Sequence, residues 1–244
     1  MIWNMRKLVF VWLFLLMPLC AQAQDYSPLL EAGALPNAVH FLPPPPAPNS
    51  PNYYCDWNHY LVGKSVRATE RGAQAKSDAK NDTESIAKVF SEPLGVEINS
   101  SKTPKLFELV ARTADTVMLS IKAPKKFHQR TRPYALFEEK SLIPEDEATH
   151  NPKSSYPSGH AATGWGIALA LSELDPSRQD DLLKRGFEYG QSRVIAGFHF
   201  QSDVDAGRLA ASATIARLHA DAEFMSLMKA AKQEIIQAKK KSQK

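Results

Sequence analysis

Apolar residues in this chain recur at intervals of three and four, while the alternating β-branched runs that mark strands are scarce, a pattern of helices that each bury one face. The clearest case begins at Thr103, read as an N-cap, with Pro104 at the first helical position, where its missing N–H costs no hydrogen bond. Leu106, Val110, Ala114, Val117, Met118 and Ile121 then share one face, and Pro124 is expected to end the helix. A second helix is predicted from about Ser158 through Trp165, Ala168, Leu169 and Leu171 to Leu174, stopped by Asp175-Pro176. A third runs from about Ser177 with Leu183, Phe187 and Val194, its pattern broken at Gly197. A fourth spans about His199 to His219. A fifth, from about Asp221 to Lys240, carries Phe224, Met228, Ala231 and Ile235 on one face. The fold class is all-α: one helical domain over 53–244 built around a bundle core. It is preceded by an extended surface segment over 24–52, whose prolines Pro43 to Pro46, Pro48 and Pro51 suit polyproline-like chain.

Composition adds three constraints. A chain of 244 residues with 43% hydrophobic content can bury one substantial core without covalent staples. Its first 23 residues read as a secretory signal peptide: Arg6 and Lys7, an apolar stretch from Leu8 to Leu19, then Ala21-Gln22-Ala23. That stretch falls short of the roughly 18 to 20 residues a spanning helix needs, and no later segment approaches it, so a soluble periplasmic or secreted protein cut after Ala23 is expected. A lipoprotein built on Cys20 is disfavoured because Leu19 stands where a small residue belongs. Cleavage leaves Cys55 as the one cysteine, which excludes an internal disulfide, and lowers the formal charge from +4 to +2. The basic run Lys239 to Lys241 with Lys244 reads as a solvated helix end, and nothing argues for a nucleic-acid partner.

Three short clusters concentrate residues able to hold phosphate. The first is Lys125 followed, after six residues, by Arg132-Pro133. The second is Pro157-Ser158-Gly159-His160 at a predicted helix start, where unpaired N–H groups and the positive end of the helix dipole favour an anion. The third is Ser192-Arg193, five residues, His199, three residues, Asp203. If His199 opens a helix, Asp203 lies one turn on along the same face, able to take the Nδ1 proton and leave Nε2 free to attack. Each cluster alone also suits a plain role: a solvated basic loop, an ordinary Ser N-cap, a surface His/Asp pair. Together they supply what in-line phosphoryl transfer requires, namely cations for the equatorial oxygens, a nucleophile on one side and a proton donor on the other.

The order Lys-x6-Arg-Pro, Pro-Ser-Gly-His and Ser-Arg-x5-His-x3-Asp, with 23 and 31 residues between the blocks, resembles the signature of the type 2 phosphatidic acid phosphatase superfamily. Within it the chain looks most like the bacterial class A non-specific acid phosphatases. Leu42-Pro43-Pro44-Pro45-Pro46-Ala47, Thr69-Glu70-Arg71-Gly72, Ser155-Tyr156-Pro157 and Gly190-Gln191-Ser192-Arg193-Val194 support this, and the likeness covers nearly the whole mature chain. The resemblance implies an exported phosphomonoesterase, metal-free and without a cofactor, acting on nucleotides and sugar or aryl phosphates, and a homo-oligomer. It implies His199 as nucleophile, His160 as general acid and base, and Asp203 as the carboxylate that orients His199. Lys125, Arg132, Ser158, Gly159 and Arg193 would bind phosphate. Transfer to an alcohol instead of water is open to such an enzyme. The chain departs from some members of the class between Phe137 and Glu147, an acidic stretch lacking the cysteines expected there, which is taken to border the substrate pocket.

Other phosphatase chemistries leave traces that are missing. Leu61 stands six positions after Cys55 where a cysteine-nucleophile loop needs arginine, and neither a Gly-x4-Gly-Lys loop nor a His-Glu-x2-His motif occurs. Asp203-Val204-Asp205 follows no buried strand, so an aspartyl-phosphate enzyme is disfavoured. A vanadate-dependent haloperoxidase would use the same site residues, vanadate mimicking the phosphoryl transition state. A non-catalytic phosphate-binding protein is the remaining alternative.

Overall fold

In the computed structural model, which describes residues 26–242, every regular element is helical and no strand forms among the described residues, as the periodicity predicts. The helices are α1 (Pro51–Ser65), α2 (Glu70–Ser77), α3 (Thr83–Leu94), α4 (Pro104–Ser120), α5 (Lys122–His128), α6 (Pro133–Leu136), α7 (Pro144–Glu147), α8 (Gly159–Leu174), α9 (Gln179–Ala196), α10 (Gln201–Leu218) and α11 (Ala222–Ser242). The proposed signal peptide, with Cys20 and the cut after Ala23, and Lys244 lie outside the described residues.

Helix α8 is the axis of the bundle, packed against α9, α10 and α4. It is buried on nearly every side, which explains why its apolar and small residues run all round instead of along one stripe. Small residues also let its neighbours close in. A Cβ on Gly164 would sit 2.5 Å from the Tyr189 ring, and one on Gly207 of α10 would sit 2.4 Å from the Ser158 carbonyl oxygen, so both packings require glycine. Phe90, Leu94, Leu106, Leu109, Leu171, Leu182, Phe224 and Met228 fill the main core between α3, α4, α8, α9 and α11.

Several boundaries differ from those predicted. Thr103 precedes α4 but makes no cap bond; its hydroxyl binds within its own loop, and the Glu234 carboxylate of α11 takes the Lys105 and Leu106 N–H groups at 3.1 and 2.9 Å. A tertiary partner thus does the work of a local cap. Pro124 does not end α4, which stops at Ser120; it sits in the first turn of α5, where no intrahelical N–H is needed. His199 does not open α10: Phe200 occupies the cap position and the Asp203 carboxylate accepts its N–H at 2.8 Å. The third helix begins at Gln179 after a short 3-10 turn over Pro176–Arg178 and ends at Gly197, whose φ of +82° closes it. On this helix Phe187 is exposed. Asp221 caps α11 through the Phe224 N–H, 2.9 Å. The Pro-rich chain is irregular and lies at the surface, tied down where the Tyr156 hydroxyl donates to the Pro43 carbonyl, but Pro51 already begins α1, capped by Ser50. Helices α1, α2 and α5 to α7 carry no strong periodic apolar stripe; α3 does, with Ile86, Ala87, Phe90 and Leu94 on one buried face behind an Asp82 N-cap, and sequence reasoning missed it.

Candidate active site

The three clusters come from α5 with the loop after it, the start of α8 and the end of α9 with the turn into α10. Ser158 is the N-cap of α8, its Oγ accepting the Ala161 N–H at 3.3 Å, and its own N–H donates to the Asp203 carbonyl at 2.8 Å. This bond, beside the close approach allowed by Gly207, joins the N-termini of α8 and α10, so Ser158, Gly159 and His160 arrive next to the segment bearing His199.

His199 is buried, with Nε2 3.0 Å from Arg132 Nη1. A guanidinium can only donate, so Nε2 carries the lone pair and Nδ1 the proton. Nδ1 lies 3.7 Å from Asp203 Oδ2 and 3.5 Å from Ser155 Oγ, so Asp203 is within ion-pair range of His199 without a direct hydrogen bond. The Asp203 oxygens are already engaged. Oδ2 accepts from Ser155 Oγ at 2.6 Å and from the Phe200 N–H, while Oδ1 accepts from Arg130 Nη1 at 2.6 Å. Burial, followed by the charges of Arg132, Lys125 and Arg193, drives the His199 pKa well below the ordinary imidazole value.

Arg132 is splayed across the loops around it. Nη1 donates to the Phe198 carbonyl at 3.0 Å, Nε to the Asn151 carbonyl at 3.0 Å and Nη2 to Ser154 Oγ at 3.1 Å. Lys125 Nζ donates to the Ser154 carbonyl at 2.6 Å, and desolvation, then the neighbouring Arg132, pulls its pKa down to about 7. Arg193 is fully buried with its guanidinium 4.4 Å above the Phe198 ring, and its Nε and Nη1 have no hydrogen-bond partner. Burial and Arg132 bring it down to about 10. Buried donors left unmade are costly, and this guanidinium could take an anion.

His160 is buried beside Arg193. Its Nε2 lies 3.0 Å from the Ala79 carbonyl, which can only accept, so the proton sits on Nε2 and Nδ1 is the nitrogen able to exchange one. The ring stacks on Tyr189, centroids 5.6 Å apart and planes 21° apart. Its pKa lies well below the ordinary value through burial and the Arg193 charge.

The structure thus brings together Lys125, Arg132, Arg193, His160 and His199, with Ser158 and Gly159 at the adjoining helix start and Asp203 behind His199. Sequence reasoning missed the residues that hold them. Asp56 of α1 accepts from Arg130 Nη2 at 2.7 Å and from the Ser202 N–H at 2.8 Å, and Arg130 covers the Phe200 ring at 4.3 Å. His150 packs its ring 5.1 Å from Phe198. Only the clustering of Arg130 with Lys125 and Arg132 hinted at any of these. The acidic stretch lies close by: Ile143, Glu145 and Asp146 line a cleft of about 810 Å³ together with Ala79 and Lys80. Among the described residues no group of three or more His, Cys, Asp or Glu is gathered as a metal site, and no helix is long and apolar enough to cross a membrane.

Comparison with known proteins agrees with this geometry. The model of the PAP2 superfamily matches residues 106–224. A non-specific acid phosphatase of Providencia stuartii is 40% identical over 205 residues, covering 84% of this chain and 83% of the relative. One from Salmonella typhimurium is 38% identical over 231 residues, 94% and 92% of the two chains. An acid phosphatase of Zymomonas mobilis is 33% identical over 199 residues, 82% and 75%. With the matched region holding all three clusters, this chain belongs to the PAP2 superfamily, among relatives named non-specific acid phosphatases.

Proposed function

We propose that this chain is an exported acid phosphatase of the class A kind that hydrolyses phosphate monoesters through a phosphohistidine on His199. The observation that carries the reading is the fully buried Arg193 with two unpartnered N–H donors, set beside Arg132 on the His199 lone pair. An entering phosphate gives Arg193 its missing acceptors and draws the Arg132 hydrogen off Nε2, so binding of the substrate uncovers the nucleophile. Lys125, Arg132 and Arg193, with Ser158 and the Gly159 N–H, then hold the equatorial oxygens, where charge builds up in the transition state.

Nε2 attacks phosphorus as the bond to the leaving oxygen breaks, and His160 delivers a proton to that oxygen. Water then attacks phosphorus, loses its proton to His160, and the P–N bond returns its electron pair to Nε2. An alcohol in place of water gives phosphotransfer. The charge that a metal would supply in other phosphatases comes from three side-chain cations, so turnover in chelator is expected. Asp203, held by Arg130 and Ser155, stabilises the phosphohistidine as a nearby negative charge. The substrates are broad, nucleotides and sugar or aryl phosphates, because the gathered side chains grip only the phosphoryl end. The protein functions as a homo-oligomer, a state that light scattering reads directly.

The test is hydrolysis of p-nitrophenyl phosphate near pH 5 to 6 in excess EDTA by the parent and by His199→Ala. Turnover in chelator that disappears in the variant, with a denaturation-trapped phosphoprotein in the parent, supports the reading. Activity lost to EDTA, or retained by the variant, overturns it, and vanadate-dependent halide oxidation would transfer the site to the haloperoxidase reading.

A further inference from the structure

The short link between α2 and α3 contains an acid that the mechanism does not use. Asp78 is buried, 1% exposed, yet no substrate oxygen could benefit from it. Its carboxylate accepts from both Arg185 Nη atoms and from Ser192 Oγ at 2.6 Å, so it is bound to two residues seven apart on one face of α9. Arg71 of α2 reinforces the junction, donating to Ser192 Oγ at 3.0 Å and to the Glu188 carbonyl at 2.7 Å. Two residues beyond Asp78, the Lys80 carbonyl accepts from the Tyr189 hydroxyl at 3.2 Å. Between these two attachments lies Ala79, whose carbonyl accepts from His160 Nε2.

The link is therefore clamped to α9 on both sides of the one peptide that touches His160. Tyr189, which makes the second attachment, also stacks on the imidazole. The first attachment involves Ser192, the residue immediately before Arg193. A single junction sets the Ala79 oxygen and the base of Arg193 relative to each other.

Resting on the phosphatase reading, we propose that Asp78 is a positioning residue: anchored to Arg185 and Ser192, it holds the Ala79 carbonyl on Nε2 of His160, so that the ring presents Nδ1 to the leaving oxygen and to water. A carbonyl oxygen accepts whatever the ring's charge, so the contact fixes both the rotamer and the nitrogen that exchanges the proton. Besides Ala79 and Tyr189, the groups facing His160 are Arg193 of α9, His199 before α10 and His150 before α8; the ring hydrogen bond goes to the Ala79 carbonyl. Asp78 itself touches no phosphate-binding side chain.

The experiment compares the full mature protein with Asp78→Asn, which keeps the shape but sets an amide against Arg185. Three quantities are read: kcat and KM for p-nitrophenyl phosphate across pH 4 to 9, inhibition by inorganic phosphate, and the ring ¹⁵N shifts of His160, which report which nitrogen carries the proton. The expected result is a fall in kcat of about 10- to 100-fold, as a misplaced reacting group gives, with KM and phosphate inhibition within about twofold of the parent. The descending limb of the pH profile moves, and His160 loses its pure Nε2–H state. Ser192→Ala, which removes one ligand of Asp78 and leaves the Arg185 pair, should give a smaller change of the same kind. It decides the matter if Asp78→Asn does not fold. An unaltered His160 tautomer and pH profile in a folded variant would overturn the proposal, as would a loss that only tracks the folded fraction. If the parent has no phosphatase activity the functional reading fails, and the ¹⁵N shifts still decide whether Asp78 governs the His160 ring.

Discussion

Arg130 and Arg193 are buried in the same site, each with its guanidinium face against a phenylalanine ring, and they are treated in opposite ways. Arg130 is saturated: Nη1 meets Asp203 and Ser202, and Nη2 meets Asp56. Among the described residues Arg193 is left with Nε and Nη1 lacking any hydrogen-bond partner. A buried cation with its anions in place is a structural joint, here tying α1 to the start of α10. A buried cation without one is a standing cost, which on the function proposed above a bound phosphate would remove. On the proposed reading, the contrast separates a residue that holds this site from one that would meet the phosphate.

Replacing each arginine by methionine should break the symmetry, and the largest effect belongs to Arg130. Arg130→Met strands Asp56 and Asp203 as buried unpaired charges and should cost about 3–5 kcal/mol of stability, read by urea unfolding. Arg193→Met should instead leave the ligand-free fold as stable as the parent or more so, while kcat/KM falls about 10²- to 10³-fold, the loss typical of one transition-state donor. Destabilisation by Arg193→Met would mean that its charge is structural after all.

Phosphate should sharpen the difference. At a hundredfold excess over its dissociation constant it should stabilise the parent by about 2.7 kcal/mol, by mass action alone, and far less in Arg193→Met. Burial, then the arginine charges, holds His160 and His199 below the ordinary imidazole range; a bound anion opposes the charge part, so both histidines should titrate higher in the phosphate complex than in the free protein, which NMR titration of the two rings measures.

The pH dependence of stability follows the same logic. Both histidines titrate lower in the fold than in the unfolded chain, so below about pH 6.5 the unfolded state binds more protons, and their contribution to stability falls on acidification. Lys125, down to about 7 from 10.5, makes the ligand-free protein gain stability as pH rises between those values. Lys125→Met should flatten that rise while weakening phosphate binding. The smallest expected effect is a control outside the site. Glu234→Ala removes the cap supplied to α4 and should cost about 1 kcal/mol with no change in kcat.

The long helices α4, α8, α9, α10 and α11 were legible because each carries either a periodic apolar face or, for α8, small and apolar residues throughout. Their ends were less so. Ser158 caps as a local signal predicts, but the α4 cap comes from Glu234, over a hundred residues away, and no local rule can find it. The shift of the helix start from His199 to Phe200 is local, set by the Asp203 carboxylate three residues on, which accepts the Phe200 N–H. Asp203 spends its Oδ2 on the Phe200 N–H and on Ser155, so the one-turn spacing that suggested a direct His199–Asp203 bond yields a 3.7 Å contact instead. Helices α1 and α2 escaped notice because they pack through a few buried residues such as Tyr60 and Ala75 and leave polar or even aromatic side chains in solvent; α3, with Asp82 as cap, Gly95 at its end and Ile86, Phe90 and Leu94 on one face, was legible and was missed.

The sequence by itself determined the chemistry available: three cations, two histidines and a helix start at spacings tied to one family, because covalent order fixes which residue types a fold can gather. Tertiary structure alone decided their states. Burial sets which donors stay empty and, with neighbouring charges behind it, the pKa directions, and contacts such as Ala79 on His160 and Arg132 on His199 select which ring nitrogen holds the proton. Each depends on groups distant in the chain meeting at hydrogen-bond range in a water-poor interior, where small displacements carry large electrostatic consequences.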